Sequence, residues 1–212
     1  MKTDDLIDRL AAGNVAVPSH AAARRVALAL GGGMAVSLAL MLVGWGPNPA
    51  LAQAAGEPVF WAKLMAPLLM VGAAAPLLMR LGRPGMPTAS GWIGWALPVI
   101  GLWLLALGTG LLALEDGAAG LQGRTWRTCS QSIALLALPV FGAAIWSLRG
   151  LAPVRPGWAG AGAGGLAGAA GAAVYALHCP ELSAAFVAVW YGVGMALPVV
   201  AGALLGPRLL RW

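Results

Sequence analysis

Six stretches of about 20 mostly apolar residues, at about 26–46, 58–79, 92–114, 129–148, 158–178 and 182–205, take up most of this chain. Each is long enough to cross the hydrocarbon core of a bilayer as a helix. Composition agrees, since 60% of the residues are hydrophobic and 9% charged, against roughly 25% charged in soluble domains. The connections hold only about 9 to 14 residues, apart from a very short one near Cys179, so no soluble domain fits between helices. The expected fold is an all-α membrane protein. Residues 26–212 form a bundle of six transmembrane helices, and residues 1–25 form a tail with a short amphipathic helix.

The net charge of +6 is spread over the flanks of these spans and not gathered into a patch, so no direct nucleic-acid contact is expected. Lys2, Arg9, Arg24 and Arg25 precede the first span. Arg80 and Arg83 follow the second, Arg149 and Arg155 the fourth, and Arg208 and Arg211 the sixth. In a six-span chain all of these fall on one side. The other side carries Arg124 and Arg127 with Glu57, Glu115, Asp116 and Glu181. Short basic connections stay in the cytoplasm, which predicts both termini cytoplasmic in a multi-pass protein of the inner membrane. Pro49-Ala50-Leu51-Ala52-Gln53 has the look of a signal-peptidase site. The apolar run from Val26 to Trp45 exceeds the 7 to 15 residues of a signal sequence, however, and an uncleaved first helix is expected.

In the tail, Thr3 is placed to cap a helix, and Asp4 and Asp5 suit its positive N-terminus. Leu6, Ile7 and Leu10 make one apolar stripe, with Asp4, Asp5 and Asp8 at its side and back. Gly13, Asn14 and Pro18 end it. A lipid-binding helix carries Lys and Arg on its polar face; three aspartates point instead to a protein partner on which the tail folds.

Within the spans, Gly160, Gly164 and Gly168 recur at spacing four, a pattern that lets helix backbones approach closely and predicts a fifth helix buried inside the bundle. Prolines 67, 76, 98, 139 and 198 permit kinks without separating one function from another. Lys63 lies about five residues from the outer end of its span, and is expected to snorkel to water beside Glu57 or Glu181.

Cys129 and Cys179 are the informative pair. Spans four and five are joined by a short inner connection and should be antiparallel neighbours. From that shared surface Cys129 lies roughly 30 Å up one helix and Cys179 roughly 33 Å up the other, so both reach the same outer surface. In a Gram-negative cell that compartment is the oxidising periplasm. Three chemistries suit the pair: a structural disulfide; a thiol switch beside His178, Glu181, Arg124 and Arg127; or a metal site from Cys129, Cys179 and His178, with Glu181 as a further ligand. No cofactor is expected beyond a metal ion arriving there as a signal. Nothing resembles a catalytic constellation, neither a zinc-protease helix, a nucleophile elbow nor a phosphate loop. A small transporter or metal-efflux protein is the rival from another class, but lacks buried polar groups. A membrane thiol oxidoreductase is a second rival, but would carry a C-x-x-C pair.

The segments Met1-Lys2-Thr3-Asp4-Asp5-Leu6-Ile7, Trp126-Arg127-Thr128-Cys129, Leu148-Arg149-Gly150-Leu151-Ala152-Pro153, Tyr175-Ala176-Leu177-His178-Cys179-Pro180-Glu181, Trp190-Tyr191 and Leu209-Leu210-Arg211-Trp212, in this order, resemble the NrsF-type membrane anti-sigma factors from end to end. The resemblance implies a six-helix protein of the bacterial inner membrane that is not an enzyme. Its cytoplasmic N-terminal segment, here Asp4, Asp5, Leu6, Ile7 and Leu10, would hold an extracytoplasmic-function sigma factor inactive. It also implies two outward-facing cysteines needed for a response to heavy metals or oxidants, matched by Cys129 and Cys179.

Overall fold

A computed structural model of the chain describes residues 3–12, 20–112, 123–151 and 153–211, without the side chains at 10, 111 and 112. Gly13, Asn14 and Pro18, expected to end the tail helix, lie outside the described residues. So do Glu115 and Asp116, expected on the outer side, and the side chain of Leu10 in the apolar stripe. Every regular element among the described residues is helical. In chain order these are α1 (Thr3–Ala12), α2 (Ala21–Gly44), the short α3 (Leu51–Ala54), α4 (Pro58–Leu81), α5 (Ala89–Leu112), α6 (Trp126–Leu148), α7 (Pro156–Tyr175) and α8 (Ala184–Leu209). α8 contains a π-helical turn at Val187–Tyr191.

Five of these, α2, α4, α5, α6 and α8, are long and apolar enough to cross a membrane. α7 is not in that set, although it was expected as the fifth span. Its composition explains the difference, because it is built largely from glycine and alanine and every residue from Ala159 to Tyr175 is buried. A helix enclosed by other helices needs no bulky apolar side chains facing lipid, so its hydropathy stays low. α7 packs most extensively on α8, then on α6 and α4. A Cβ at Gly160 would overlap the carbonyl of Gly202, one at Gly164 the carbonyl of Pro198, and one at Gly168 would lie 2.7 Å from that of Met195. The spacing-four glycines therefore line the seam with α8, in the interior position expected of them.

The opposite pole is α5, which rests on α4 and the beginning of α8. Ile93, Leu97, Ile100, Leu104 and Leu107 make one exposed stripe along it, the surface a lipid-facing helix presents. α2 lies against α6, where Gly33 brings its backbone to Val140 and Ser37 Oγ donates to Leu136 O at 2.7 Å.

Antiparallel packing gathers the basic flanks at one end. There Arg25 donates to Trp146 O (2.9 Å), Arg149 to Leu209 O (2.9 Å) and Arg211 to Pro207 O (3.0 Å). Each guanidinium thus meets a carbonyl in the last turn of a helix, where the helix dipole favours positive charge. The other end holds the cysteines.

Candidate functional site

Cys129 sits in the first turn of α6, its amide donating to Thr125 O at 2.9 Å. Cys179 follows α7 by four residues, its amide donating to Tyr175 O at 3.0 Å, so that the chain leaving α7 keeps winding as far as the thiol. Both side chains are fully buried and unbridged, and the two sulfurs lie within hydrogen-bonding reach of one another. The equal-height expectation matches in that the two meet at one end of the bundle, but neither thiol reaches the surface expected of it, because Tyr175, Tyr191 and the Cys179–Glu181 segment cover them. Tyr175 and Tyr191 wall the site, their rings 6.0 Å apart. Tyr191 is delivered by the π-helical turn of α8, and Ser130 Oγ donates to Trp190 O (2.8 Å) in that turn. The Tyr191 hydroxyl leans toward Cys179 but forms no hydrogen bond of regular geometry.

Lys63 does not snorkel. It is fully buried, and its ammonium donates to Cys179 O at 2.6 Å and Glu181 O at 3.0 Å, with the Phe60 ring 5.6 Å away. The partner is the main chain of Glu181 and not its carboxylate, because the segment after α7 folds over the start of α4 and turns two carbonyls inward. A buried ammonium is costly unless its protons are satisfied, and these carbonyls take up two of the three. The arrangement staples the Cys179–Glu181 segment to α4.

The Glu181 carboxylate is engaged elsewhere. It accepts from Arg124 N (2.6 Å) and Thr125 N (3.2 Å) at the start of α6, where Thr125 makes no side-chain cap of its own. A distant carboxylate thus binds the two amides that lead into the helix carrying Cys129 and sets a negative charge at its positive end. Gly123 permits this contact: its φ is +49°, and a Cβ there would come within 2.9 Å of the Glu181 carboxyl carbon. His178 Nδ1 donates to Gly46 O (2.8 Å), and Asn48 N to Leu177 O (3.0 Å), tying the end of α2 to the same segment. Gly46, with φ +73°, ends α2 in the left-handed conformation and leaves its carbonyl free for that bond.

The Cys179 thiol is held below its ordinary range, at about 6. The causes are the hydrogen bond with Cys129, the Lys63 ammonium, a backbone hydrogen bond at Glu181 and the Tyr191 hydroxyl, all working against burial, which raises it. A thiolate there is the nucleophilic and metal-binding form of the residue.

The structure therefore brings Cys129 and Cys179 together and sets Glu181 beneath α6 as a cap. It ties His178 to Gly46 and leaves Arg127 exposed, stacked 5.1 Å over the Trp126 ring. Among the described residues, no three His, Cys, Asp or Glu converge as a metal site. Lys63, Tyr175 and Tyr191 were missed as members of the site. Lys63 had a signal, being the one ionisable residue inside an apolar window; the tyrosines had none beyond their place in the quoted segments. At the other end of the chain, Asp4, Asp5, Leu6 and Ile7 lie on α1. Leu6 and Ile7 are exposed, and Asp5 pairs with Arg9 at 3.9 Å.

The chain matches, over residues 10–212, the family model NrsF, described as negative regulator of sigma F. It is 44% identical to the probable anti-sigma-F factor NrsF of Azospira oryzae and 40% identical to the anti-sigma-F factor NrsF of Caulobacter vibrioides, in both cases over the full length of both chains. No solved structure matches it.

Proposed function

The chain belongs to the NrsF family, and from that premise we propose that it is an integral-membrane anti-sigma factor of the bacterial inner membrane. The observation that carries this reading is the likeness, from first residue to last, to two proteins named as anti-sigma-F factors. In this proposal α7 completes a six-span bundle, and the arginine end with both termini faces the cytoplasm. α1 offers Leu6, Ile7 and Leu10 to an extracytoplasmic-function sigma factor, whose basic surface meets Asp4 and Asp5. The exposure of Leu6 and Ile7 supports that role, since a partner would remove their apolar surface from water.

The signal arrives at the opposite end. An oxidant takes two electrons and two protons from Cys129 and Cys179 as the sulfur–sulfur bond forms; alternatively, a soft metal ion displaces the thiol protons and binds both sulfurs. Either event pulls Cys179 toward α6. The segment it moves is the one Lys63 staples to α4, so the displacement passes into a helix that runs to Arg80 at the cytoplasmic end. Turning a mostly bound sigma factor into a mostly released one needs about 5.5 kcal/mol of differential stabilisation. A disulfide typically supplies about 2–4 kcal/mol, so the resting equilibrium must already lie near balance.

The test is co-purification of the sigma factor with the full chain and with a chain lacking residues 1–18. Retention by the first and loss by the second is expected. Equal retention by both sinks the role of the tail, and retention by neither sinks the anti-sigma reading.

A further inference from the structure

At the arginine end, the end of α4 and the starts of α5 and α7 border an open groove of about 670 Å³, lined by Arg80, Arg83, Arg155, Thr88, Trp92 and Trp158 among others, and among the described residues by no carboxylate. Its volume is that of a small-molecule site. Arg80 is oriented by a bond to Ser90 Oγ (2.6 Å). Arg83 and Arg155 are exposed, and among the described residues neither guanidinium has an ion-pair or hydrogen-bond partner. Three guanidiniums with no acid between them describe a site for an anion with several oxygen acceptors.

Two helices add to the same field. α5 begins at Ala89 and α7 at Pro156, directly after Thr88 and Arg155 of the lining, so the positive ends of a 24-residue and a 20-residue helix open onto the groove. The indoles of Trp92 and Trp158, in the first turns of α5 and α7, meet edge to face, 5.7 Å apart; tryptophans are enriched at the headgroup level of a bilayer. Immediately past Trp92 begins the exposed stripe Ile93, Leu97 and Ile100. A ligand with an anionic head and apolar tails matches both parts at once, head among the arginines and tails along α5. A free phosphate uses only the first part, and an acidic peptide would leave the stripe bare.

We propose that this groove binds the phosphodiester headgroup of an anionic phospholipid. The inference rests on the groove lying at a membrane surface and not on the sigma-factor reading, because α1 and both cysteines lie outside it. Holding a lipid between the end of α4 and the starts of α5 and α7 would fix the spacing of those helices in the resting protein.

The test uses the full chain, delipidated in detergent and offered equal phosphatidylglycerol and phosphatidylcholine, with the retained lipid counted by native mass spectrometry. At least fivefold enrichment of phosphatidylglycerol is expected, falling toward parity in Arg83→Gln/Arg155→Gln and only partly in Arg83→Lys/Arg155→Lys. Melting of each variant reports its folding; if the glutamine pair does not fold, the single exposed Arg83→Gln variant carries the comparison. Parity in the wild-type protein, or enrichment unchanged by the glutamine variants, overturns the proposal. So does displacement of the lipid by millimolar inorganic phosphate, which would make free phosphate the ligand. Enrichment that appears only when residues 1–12 are removed also overturns it, since the acidic α1 would then be the occupant.

Discussion

The two ends of the bundle treat charge in opposite ways. At the cysteine end Lys63 is turned inward, the Glu181 carboxylate caps α6, and His178 is spent on Gly46. At the arginine end Arg83 and Arg155 stand exposed around a groove. α1, with two exposed apolar residues of its own, belongs by the proposed orientation to that second side. Buried polar groups held by specific hydrogen bonds, as Lys63 is, favour one arrangement and make departures from it costly. Exposed unpaired charges do little for stability and are free to meet partners. In the proposed reading the first end registers a covalent or coordinative change, and the second binds.

The sharpest way to break this contrast is at the thiols. Cys129→Ser and Cys179→Ser change one buried atom each and leave α1 and the arginine groove untouched. Target-gene output under cadmium or an oxidant is expected to lose its induction in either variant while repression persists. Normal induction in both would reduce the cysteine end to a structural element.

On the exposed side, Leu6→Lys removes apolar burial worth about 1.5–3 kcal/mol in the complex and puts a charge in its place. Affinity for the sigma factor is expected to fall at least about tenfold, one decade being about 1.4 kcal/mol. The variant's melting should match that of the wild-type chain, because Leu6 is already exposed. An equal drop in melting and binding would mean that α1 is packed into the bundle in the resting protein.

Much of the first end was legible in the sequence, and the reason lies in which features are one-dimensional. Helix length alone carries Cys129 and Cys179 to one height, and a spacing of four alone sets Gly160, Gly164 and Gly168 on one face. The tertiary features were not legible. Lys63 was expected at the surface because its distance from the span end allowed snorkelling. What decides its position is that the segment from Cys179 to Glu181 folds over α4 and offers two carbonyls, which no local pattern encodes. The π-helical turn that aims Tyr191 is equally silent. α7 shows the limit of hydropathy itself: a run of glycine and alanine reads as a span by its length and as something less by its composition, because its neighbours and not lipid surround it.

A smaller effect is expected where Glu181 crosses from one element to another. Glu181→Gln keeps an acceptor for Arg124 N and Thr125 N but removes the negative charge from the start of α6. The loss should be about 0.3–1 kcal/mol, read as a fall of a few degrees at most in thermal melting of the purified protein. A loss several times larger would show that Glu181 holds more than the end of α6.

The smallest expected effect tests the cation behind the thiol. Lys63→Met keeps most of the side-chain volume, removes the ammonium and leaves the carbonyls of Cys179 and Glu181 without its protons. Cys179 is a group whose value in the folded protein is lowered, to about 6. Its thiolate therefore contributes stability that is complete above the ordinary thiol range, near 8.5, and is lost as pH falls through about 6. In the wild-type chain, modification of Cys179 by a small methylthiolating reagent should hold its rate down to about pH 6 and decline below it. In Lys63→Met the decline should begin at higher pH, since one of the groups holding the thiolate has gone, while the hydrogen bond with Cys129 keeps part of the shift. Cys129→Ser provides the second reference, because its hydroxyl replaces the thiol and leaves Lys63 in place. A profile unmoved in Lys63→Met but displaced in Cys129→Ser would assign the low value to the thiol pair alone and leave Lys63 as a staple of the main chain, without electrostatic influence on the sulfur.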